Sequence, residues 1–191
     1  MSEIAATTDR LILRNWRDED WDEFYDVMNT PAVMKHLGGV QDRETWLSAK
    51  ARLEGFTRDY GHTFWLIEDR VSGELQGFCG LKRVNAPGAG DLTGTPEIGW
   101  RLRESAWGRG IAKEAAIASM DLAFGTFGYD WVVALTVDAN AESQGLMKRL
   151  GMVRRADLDF TDTRHGPELN PTIVYAIDAS DWPAARAAAL S

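Results

Sequence analysis

The sequence predicts a mixed α/β (α+β) fold, with helices flanking a central sheet of six to seven strands. Three observations support this prediction. Residues 97–102 alternate between apolar and polar side chains, the period of a strand with two different faces. From Ile111 onward, apolar residues recur at the spacing of one helix face. The segment 131–137 is almost wholly apolar, as expected of a buried strand.

A strand, two helices and a two-stranded meander are predicted ahead of this centre. Asp18, Glu19 and Asp20 lie in the first turn of the first helix, where the helix dipole favours negative charge. Glycines and prolines after the meander indicate a mobile loop that either shapes access to a site or simply connects two strands. These elements are a strand at 8–14, helices at 18–28 and 42–60, strands at 63–68 and 75–84, and the loop at 85–96.

The chain beyond the centre completes the predicted sheet. A short helix follows the strand at 131–137 and is ended by Gly151. Two further strands are expected at 153–158 and 172–177, with a polar loop at 159–171 between them.

Length and composition restrict the class of protein. With 191 residues, 45% of them hydrophobic, the chain suits one globular domain with a sizeable core. We expect this domain at 8–178 and a peripheral helix in the tail at 179–191. A net charge of −8 without any basic run argues against nucleic-acid binding. No apolar run approaches the roughly 20 residues that cross a bilayer, so no membrane partner is expected.

Two sequence features predict a cytoplasmic protein. Residues 1–4 have neither the basic start nor the apolar core of a signal peptide. One cysteine, Cys79, allows no internal disulfide, and its place in a strand favours a buried structural thiol over a nucleophile.

The histidines His36, His62 and His165 show no metal-ligand spacing, so no metal site is predicted.

A six-residue turn joins the central strand to its helix: Trp107-Gly108-Arg109-Gly110-Ile111-Ala112. Two glycines and a small alanine let the backbone approach a ligand closely, and the first amides of a helix lack internal partners. With the helix dipole, these amides form an anion site suited to a pyrophosphate; a tight turn without a ligand is the alternative. The turn is not a P-loop, because no Gly-Lys-Ser/Thr follows, and it lacks the third glycine of a dinucleotide fingerprint.

The segment E-I-G-W-R-L at 97–102, followed by W-G-R-G-I-A-K-E-A at 107–115, resembles the acetyl-CoA-binding motif of the GCN5-related N-acetyltransferases. It is most similar to the branch that includes the ribosomal-protein N-terminal acetyltransferases. Trp107 stands where the family pattern has Gln or Arg, a common form in that branch. A second signature, V-D-A-N-A-E-S at 137–143 followed by K-R-L-G-M at 148–152, resembles the family's Asn-x-x-Ser…Lys-Leu-Gly-Phe pattern.

The resemblance implies an acetyltransferase fold in which acetyl-CoA is the acyl donor. The central strand and the next one are expected to lie parallel and to splay apart at 100–102, so that the opened backbone pairs with the pantetheine arm. Arg101, Arg103, Lys113 or Lys148 could meet the terminal phosphate or could be solvated surface charges. The implied cofactor-binding residues are Trp100, Arg101, Leu102, Trp107, Gly108, Arg109, Gly110, Ile111, Ala112, Lys113, Asn140, Ser143 and Lys148.

Acetyl transfer to an amine needs a neutral amine, a stabilised oxyanion and a protonated leaving sulfur. Glu97 is the candidate base, acting through a water, and a strand carboxylate in an ion pair is the alternative. The resemblance implies that Ser143 protonates the thiolate and that Asn140 holds the pantetheine or a water; Ser143 could instead cap a helix. Many family members use a tyrosine as the acid, but no tyrosine lies between Asn140 and Tyr175.

These residues predict an acetyl-CoA-dependent N-acetyltransferase that works by direct attack in a ternary complex. The expected acceptor is a primary amine, either a protein N-terminus or a small molecule such as an amino acid, polyamine or aminoglycoside. The alternatives are a transferase that uses a longer acyl-CoA and a non-catalytic acyl-CoA-binding sensor or interaction module. A homodimer is expected from the family resemblance alone.

Overall fold

A computed structural model describes residues 4–191, so most of the segment assessed for a signal peptide lies outside the described part. The strands are β1 (Ile4–Thr7), β2 (Leu11–Arg14), β3 (Phe64–Asp69), β4 (Leu75–Arg83), β5 (Pro96–Leu102), β6 (Trp131–Val137), β7 (Val153–Arg154) and β8 (Thr172–Asp178). The α-helices are α1 (Asp20–Met28), α2 (Arg43–Tyr60), α3 (Ile111–Asp121), α4 (Ala141–Arg149) and α5 (Trp182–Leu190). No helix between residues 4 and 191 is long and apolar enough to cross a membrane.

The chain forms two compact units. The first contains the chain up to Lys82 together with Gly99–Ser119. The second contains Arg83–Ile98 and Met120–Ser191. Strand β5 begins in the second unit and ends in the first.

In the first unit, strands β1 to β5 lie side by side in chain order, and β1 to β4 are antiparallel. The register places Leu13 opposite Ile67. Gly77 has a φ of 144°, and a Cβ there would come within 2.1 Å of the Arg101 carbonyl oxygen. Strands β4 and β5 therefore approach so closely that a side chain at Gly77 does not fit.

An aromatic core joins α1 and α2 to β3 and β4. The Asp42 side chain begins α2 by accepting a hydrogen bond from the Thr45 amide at 2.8 Å, and Gly61 ends the helix with a left-handed φ of 77°. The rings of Phe64 and Phe78 stack at 4.7 Å. The buried members of this core are Trp21, Phe24, Met28, Met34, Trp46, Leu53, Phe56, Phe64, Leu66, Leu75 and Phe78.

In the second unit, β5 pairs in parallel with β6, as predicted, and β8 and β7 follow. The register described for β5 and β6 consists of Glu97 opposite Val133, although each strand has seven residues. By contrast, β6 pairs with β8 in antiparallel register along its whole length. Strand β6 therefore pairs with β8 along its whole length, whereas its described pairing with β5 lies near the start of β5.

The C-terminal helix α5 packs within the second unit. Trp182 is buried and donates a hydrogen bond from Nε1 to Asp121 at 2.9 Å, and Arg186 bonds the same carboxylate at 2.7 Å. A Cβ at Gly151 would come within 2.5 Å of the Ala185 Cβ. Gly151 therefore both ends α4, with a φ of 76°, and allows α5 to approach.

The mixed α/β fold and most predicted elements are confirmed. Confirmed elements are the helices at 18–28 and 42–60, the helix that starts at Ile111, the strands at 63–68, 75–84, 97–102, 131–137 and 172–177, the short helix before Gly151, and the tail helix.

Three differences change the sheet. Within residues 4–191 the sheet has eight strands rather than six or seven, because residues 4–7 add β1. The strand predicted at 8–14 begins at Leu11, since the Thr8 amide donates to the Leu11 carbonyl at 2.9 Å and forms a tight turn between β1 and β2. The strand predicted at 153–158 is wrong beyond Arg154, where a 3₁₀ turn at Ala156–Leu158 replaces it.

A buried ion cluster joins β2, α1 and β3 in the first unit. Arg14 donates two hydrogen bonds to the Asp20 carboxylate, each 2.7 Å long, and one to Glu68 at 2.7 Å. Burial acts to raise the pKa of Asp20, but the hydrogen bonds from Arg14 and the Arg17 amide outweigh it and lower that pKa. Asp20 is therefore a carboxylate in the folded protein, and its pairing stabilises the fold.

We predict that Asp20→Asn lowers the free energy of unfolding by about 3 kcal/mol, because the buried Arg14 then loses the anion that accepts two of its hydrogen bonds and keeps only Glu68. In the wild type, the stabilisation is complete above the unfolded carboxyl pKa of about 3.9 and is lost as the pH falls through the lower folded pKa. Urea unfolding at neutral and acidic pH measures both effects. Asp22→Asn is the matched control, since the Asp22 side chain is 82% exposed; equal losses in the two variants would contradict the prediction.

Candidate functional site

The predicted glycine turn lies in the first unit, directly before α3. Gly108 and Gly110 have φ values of 70° and 76°, in the left-handed region that costs other residues about 1–2 kcal/mol. A Cβ at Gly108 would meet nothing within 4 Å, and Gly110 is exposed as well. Both glycines are thus required by the backbone conformation, and they leave the turn open to solvent.

The first turn of α3 presents its amides next to these glycines. The first helical hydrogen bond runs from the Glu114 amide to the Gly110 carbonyl at 3.1 Å. The amides that precede Glu114 in the helix point out of the N-terminus, where the helix dipole is positive. This arrangement has the donors and the polarity of an anion site for a phosphate group.

Arg10, in the connection between β1 and β2, braces the turn together with Glu114 of α3. Arg10 donates from Nη1 to the Arg109 carbonyl at 2.9 Å and from Nε to Glu114 at 2.6 Å, and Thr8 donates to the same carboxylate at 2.6 Å. Burial acts to raise the pKa of Glu114, but the bonds from Thr8 and Arg10 lower it, so the brace is ionised. Sequence reasoning missed this brace, because residues about 100 positions apart carry no local signal.

Trp107 bonds the end of β5 rather than packing beneath the turn. Its indole N–H donates to the Leu102 carbonyl at 2.9 Å, while 48% of the residue is exposed. The Leu102 carbonyl, which was expected to face the pantetheine arm, therefore already accepts a hydrogen bond within the chain.

The two arginines around the end of β5 have different environments. Arg103 forms an ion pair with Glu74 at 2.8 Å and donates to the Leu75 carbonyl at 3.1 Å. Arg101 lies over the rings of Phe78 and Trp46, with centroid distances of 5.4 and 5.9 Å. Neither arginine is the freely solvated surface charge that the sequence left as an alternative.

Glu97, the candidate base, lies in the second unit near the start of β5. It is only 8% exposed and contributes to raising the pKa of Arg164 through its charge. Arg164 bonds mainly to Asp162, at 2.6 Å, and this hydrogen bond is the largest cause that lowers the pKa of Asp162. Glu97 is thus a buried carboxylate close to a cation, which fits both a base and the ion-pair alternative.

Asn140, not Ser143, caps helix α4 in the second unit. The Asn140 side chain accepts a hydrogen bond from the Ser143 amide at 3.1 Å, which places Ser143 in the first turn of the helix. Lys148 is exposed in the last turn. The alternative that Ser143 serves as the cap is therefore wrong, and its hydroxyl is not needed for that task.

A buried tyrosine reaches α4 from a distant strand. Tyr175, on β8, is 3% exposed and donates a hydrogen bond to Gln144 at 3.1 Å. Spacing along the chain had set tyrosines aside as acid candidates, because Tyr175 lies 35 residues after Asn140. Strand β8 pairs in antiparallel fashion with β6, the strand before α4, and this pairing places Tyr175 next to α4. No short sequence motif reveals this contact.

The remaining thiol and histidine candidates are structural. Cys79 is fully buried, with Ser119 Oγ 3.5 Å away, and burial raises the pKa of its thiol to about 12. His62 is buried against the Leu81 carbonyl at 2.8 Å. No group of three or more His, Cys, Asp or Glu in residues 4–191 could hold a metal ion.

The family model of the acetyltransferase (GNAT) domain matches residues 10–153. The chain belongs to the GNAT acetyltransferase family. It is an enzyme of that family by its domain and by its fold. The matched range contains the glycine turn, Glu97, Asn140 and Ser143, the residues on which the sequence-based resemblance depends.

Individual relatives agree with this assignment. The uncharacterized protein YkkB of Bacillus subtilis is 32% identical over 155 residues, which are 79% of this chain and 86% of that protein. An acetyltransferase structure from Agrobacterium tumefaciens has a TM-score of 0.74 at 25% identity and covers 90% of this chain and 92% of its own. A Vibrio cholerae spermidine N-acetyltransferase, in complex with CoA and spermine, has a TM-score of 0.71 at 16% identity, covering 92% and 99%.

We predict that Gly110→Val abolishes acetyl-CoA binding measured by titration calorimetry. The variant places a β-branched side chain at a left-handed position beside the exposed amides. Gly39→Val is the matched control, because Gly39 has a φ of 83° with open space around it and lies outside the turn. Thermal melting verifies that both variants fold; wild-type affinity in folded Gly110→Val would show that the turn does not bind the cofactor.

Proposed function

We propose that this protein is an acetyl-CoA-dependent N-acetyltransferase that acts on primary amines by direct attack in a ternary complex. One observation carries the proposal: an exposed turn with two left-handed glycines stands at the N-terminus of α3 and is braced by Arg10. Membership of the GNAT family supplies the reaction class.

Acetyl-CoA fits the turn on chemical grounds. Its diphosphate is an anion of the kind that helix N-termini bind, and the two glycines leave room for it to approach the backbone. Residues Gly108 to Lys113 would hold the diphosphate, Trp100 and Arg101 would pair with the pantetheine arm through their backbone, and Asn140 and Lys148 would contact other parts of the cofactor. The bound thioester supplies an activated acyl group.

Each side chain has one part in the proton transfers of the reaction. Glu97 removes a proton from the ammonium through a water, and the neutral amine attacks the thioester carbonyl carbon. The new C–N bond forms, the C–S bond breaks, and the departing thiolate receives a proton from Ser143. The acylated nitrogen loses its extra proton, which returns through water to the Ser143 oxygen, and Glu97 releases the first proton to solvent. Tyr175 is the second candidate for this acid, because it is buried and hydrogen-bonded to α4.

The identity of the acceptor is the finer part of the proposal. The sequence leaves the choice open between a protein N-terminus and a small-molecule amine. The relatives do not support the ribosomal-protein branch, and they give no acceptor except for the spermidine enzyme, which is similar at the level of fold. A longer acyl donor, a non-catalytic sensor, a cytoplasmic location and a homodimer are carried forward as hypotheses from the sequence.

We predict that Glu97→Gln lowers kcat by about 10²–10⁴-fold while the Kd for acetyl-CoA stays unchanged. The assay follows release of free CoA with a panel of primary amines, and calorimetry measures the cofactor. Glu142→Gln is the control, because Glu142 is an exposed carboxylate on α4. Ser143→Ala and Tyr175→Phe, assayed in parallel, identify the acid by which of them slows thiolate release.

Two results would contradict this proposal. Full activity in Glu97→Gln would show that Glu97 is a structural ion-pair carboxylate. Tight acetyl-CoA binding without turnover of any amine would favour the sensor alternative.

A further inference from the structure

A half-buried cation, Arg101, lies between β5 and α2 in the first unit, and no described carboxylate is bonded to it. The Arg101 guanidinium rests on the rings of Phe78 and Trp46, and its Nε is buried without a hydrogen-bond partner among the described residues. Burial and the nearby charge of Arg52 both lower the pKa of Arg101, to about 10, and no described carboxylate contributes to that shift. The surroundings therefore disfavour the cation and leave it in need of a negative partner.

Trp46 supplies a second buried donor at the same place. It is 3% exposed, and its Nε1 has no hydrogen-bond partner within the described chain. Buried donors in native proteins are almost always satisfied, because leaving one unpaired costs about 1–3 kcal/mol. Two unpaired donors, on side chains whose guanidinium carbon and ring centroid are 5.9 Å apart, indicate a place for an anionic oxygen.

Arg101 belongs to the strand segment that is expected to hold the pantetheine arm, which would place its side chain and that of Trp46 near the acceptor. The backbone of residues 100–102 is the segment expected to hold the pantetheine arm, and the Arg101 side chain leaves it toward α2. Gly99 lies on the same face of β5, two residues away, where a Cβ would come within 2.8 Å of the Phe64 ring. An aromatic wall of Phe64 and Phe78, with a centroid distance of 4.7 Å, thus lines the strand beside the arginine.

We propose that Arg101 and Trp46 bind a carboxylate of the acceptor, so that the substrate is a small primary amine that carries a carboxylate, such as an amino acid with an apolar side chain. The inference rests on the proposed acetyl transfer and specifies its substrate class. It runs against the net charge of −8, which by itself would favour cationic amines. A carboxylate matches the planar guanidinium and accepts a further bond from the indole N–H.

The kinetic test compares each acid with its neutral amide. Free CoA release is measured with L-phenylalanine and L-methionine against their amides, with spermidine as the cationic acceptor and O-phosphoethanolamine as the phosphate acceptor. We expect the amino acids to have the higher kcat/KM. In Arg101→Met, kcat/KM for the amino acids should fall about 10- to 100-fold more than kcat/KM for the amides, mainly through KM.

Two further variants separate function from structure. Arg101→Met keeps the packing on both rings and removes an unpaired charge, so its melting temperature should not fall. Trp46→Phe should raise KM for the amino acids by a few fold, since it removes one neutral donor. Arg58→Met is the control for loss of a positive charge, because the Arg58 side chain on α2 is 75% exposed.

A binding measurement keeps this inference distinct from the catalytic proposal. Calorimetry in the presence of CoA compares N-acetyl-L-phenylalanine with its amide, and the acid should bind more tightly in the wild type but not in Arg101→Met. That result without any turnover would overturn the catalytic proposal and support the subsite. Two substrate preferences would overturn the subsite: equal use of acids and amides, or a preference for spermidine or O-phosphoethanolamine. The subsite would also be overturned by an Arg101→Met defect that is restricted to CoA and absent with 3′-dephospho-CoA.

Discussion

The left-handed backbone at Gly108 and Gly110 is the constraint on which the candidate site depends. A turn that reverses the chain between β5 and α3 while keeping its amides exposed requires positive φ values, and these favour glycine. The conformation is fixed from outside by Arg10, which bonds the Arg109 carbonyl and Glu114 together. The turn is therefore formed before any ligand arrives, which reduces the entropy that binding must cost.

Two arginines in the first unit, the buried Arg14 and the half-buried Arg101, show how differently the same side chain can be used. Arg14 is surrounded by Asp20 and Glu68, and the hydrogen bonds compensate for its removal from water. Arg101 has aromatic rings and a second arginine near it instead. Cation–π contacts recover part of the desolvation cost, but they satisfy no N–H group. The first arrangement stabilises the fold, whereas the second is suited to recognition.

The sequence predicted the fold well wherever one local rule dominates. The alternation at β5, the apolar run at β6 and the start of α3 each follow from a period or a composition, and each was confirmed. Two predicted strands were wrong at one end, because local hydrogen bonds form turns there. The Thr8 amide bonds the Leu11 carbonyl in a turn ahead of β2, and a 3₁₀ turn begins at Ala156 instead of an extension of β7.

The motifs of the candidate site can be recognised in the sequence, but the long-range contacts that hold its residues in place cannot. The glycine pattern predicted the turn from local spacing, and the strand pattern made Glu97 a candidate. The family resemblance alone pointed to Asn140 and Ser143, and the roles of these residues stay predictions. The Arg10 brace, the Tyr175 bond to α4 and the unpaired donors of Trp46 and Arg101 depend on contacts between residues 31 or more positions apart. Such contacts follow from strand order and packing, and a single sequence without its fold does not specify them.

Hydrogen–deuterium exchange of the wild-type protein, with and without saturating acetyl-CoA, tests the central claim most directly. We predict that exchange slows at the amides of residues 108–113, because a bound diphosphate accepts their hydrogen bonds. Binding of acetyl-CoA with unchanged exchange at these amides, and protection elsewhere, would contradict the assignment of the turn as the cofactor site.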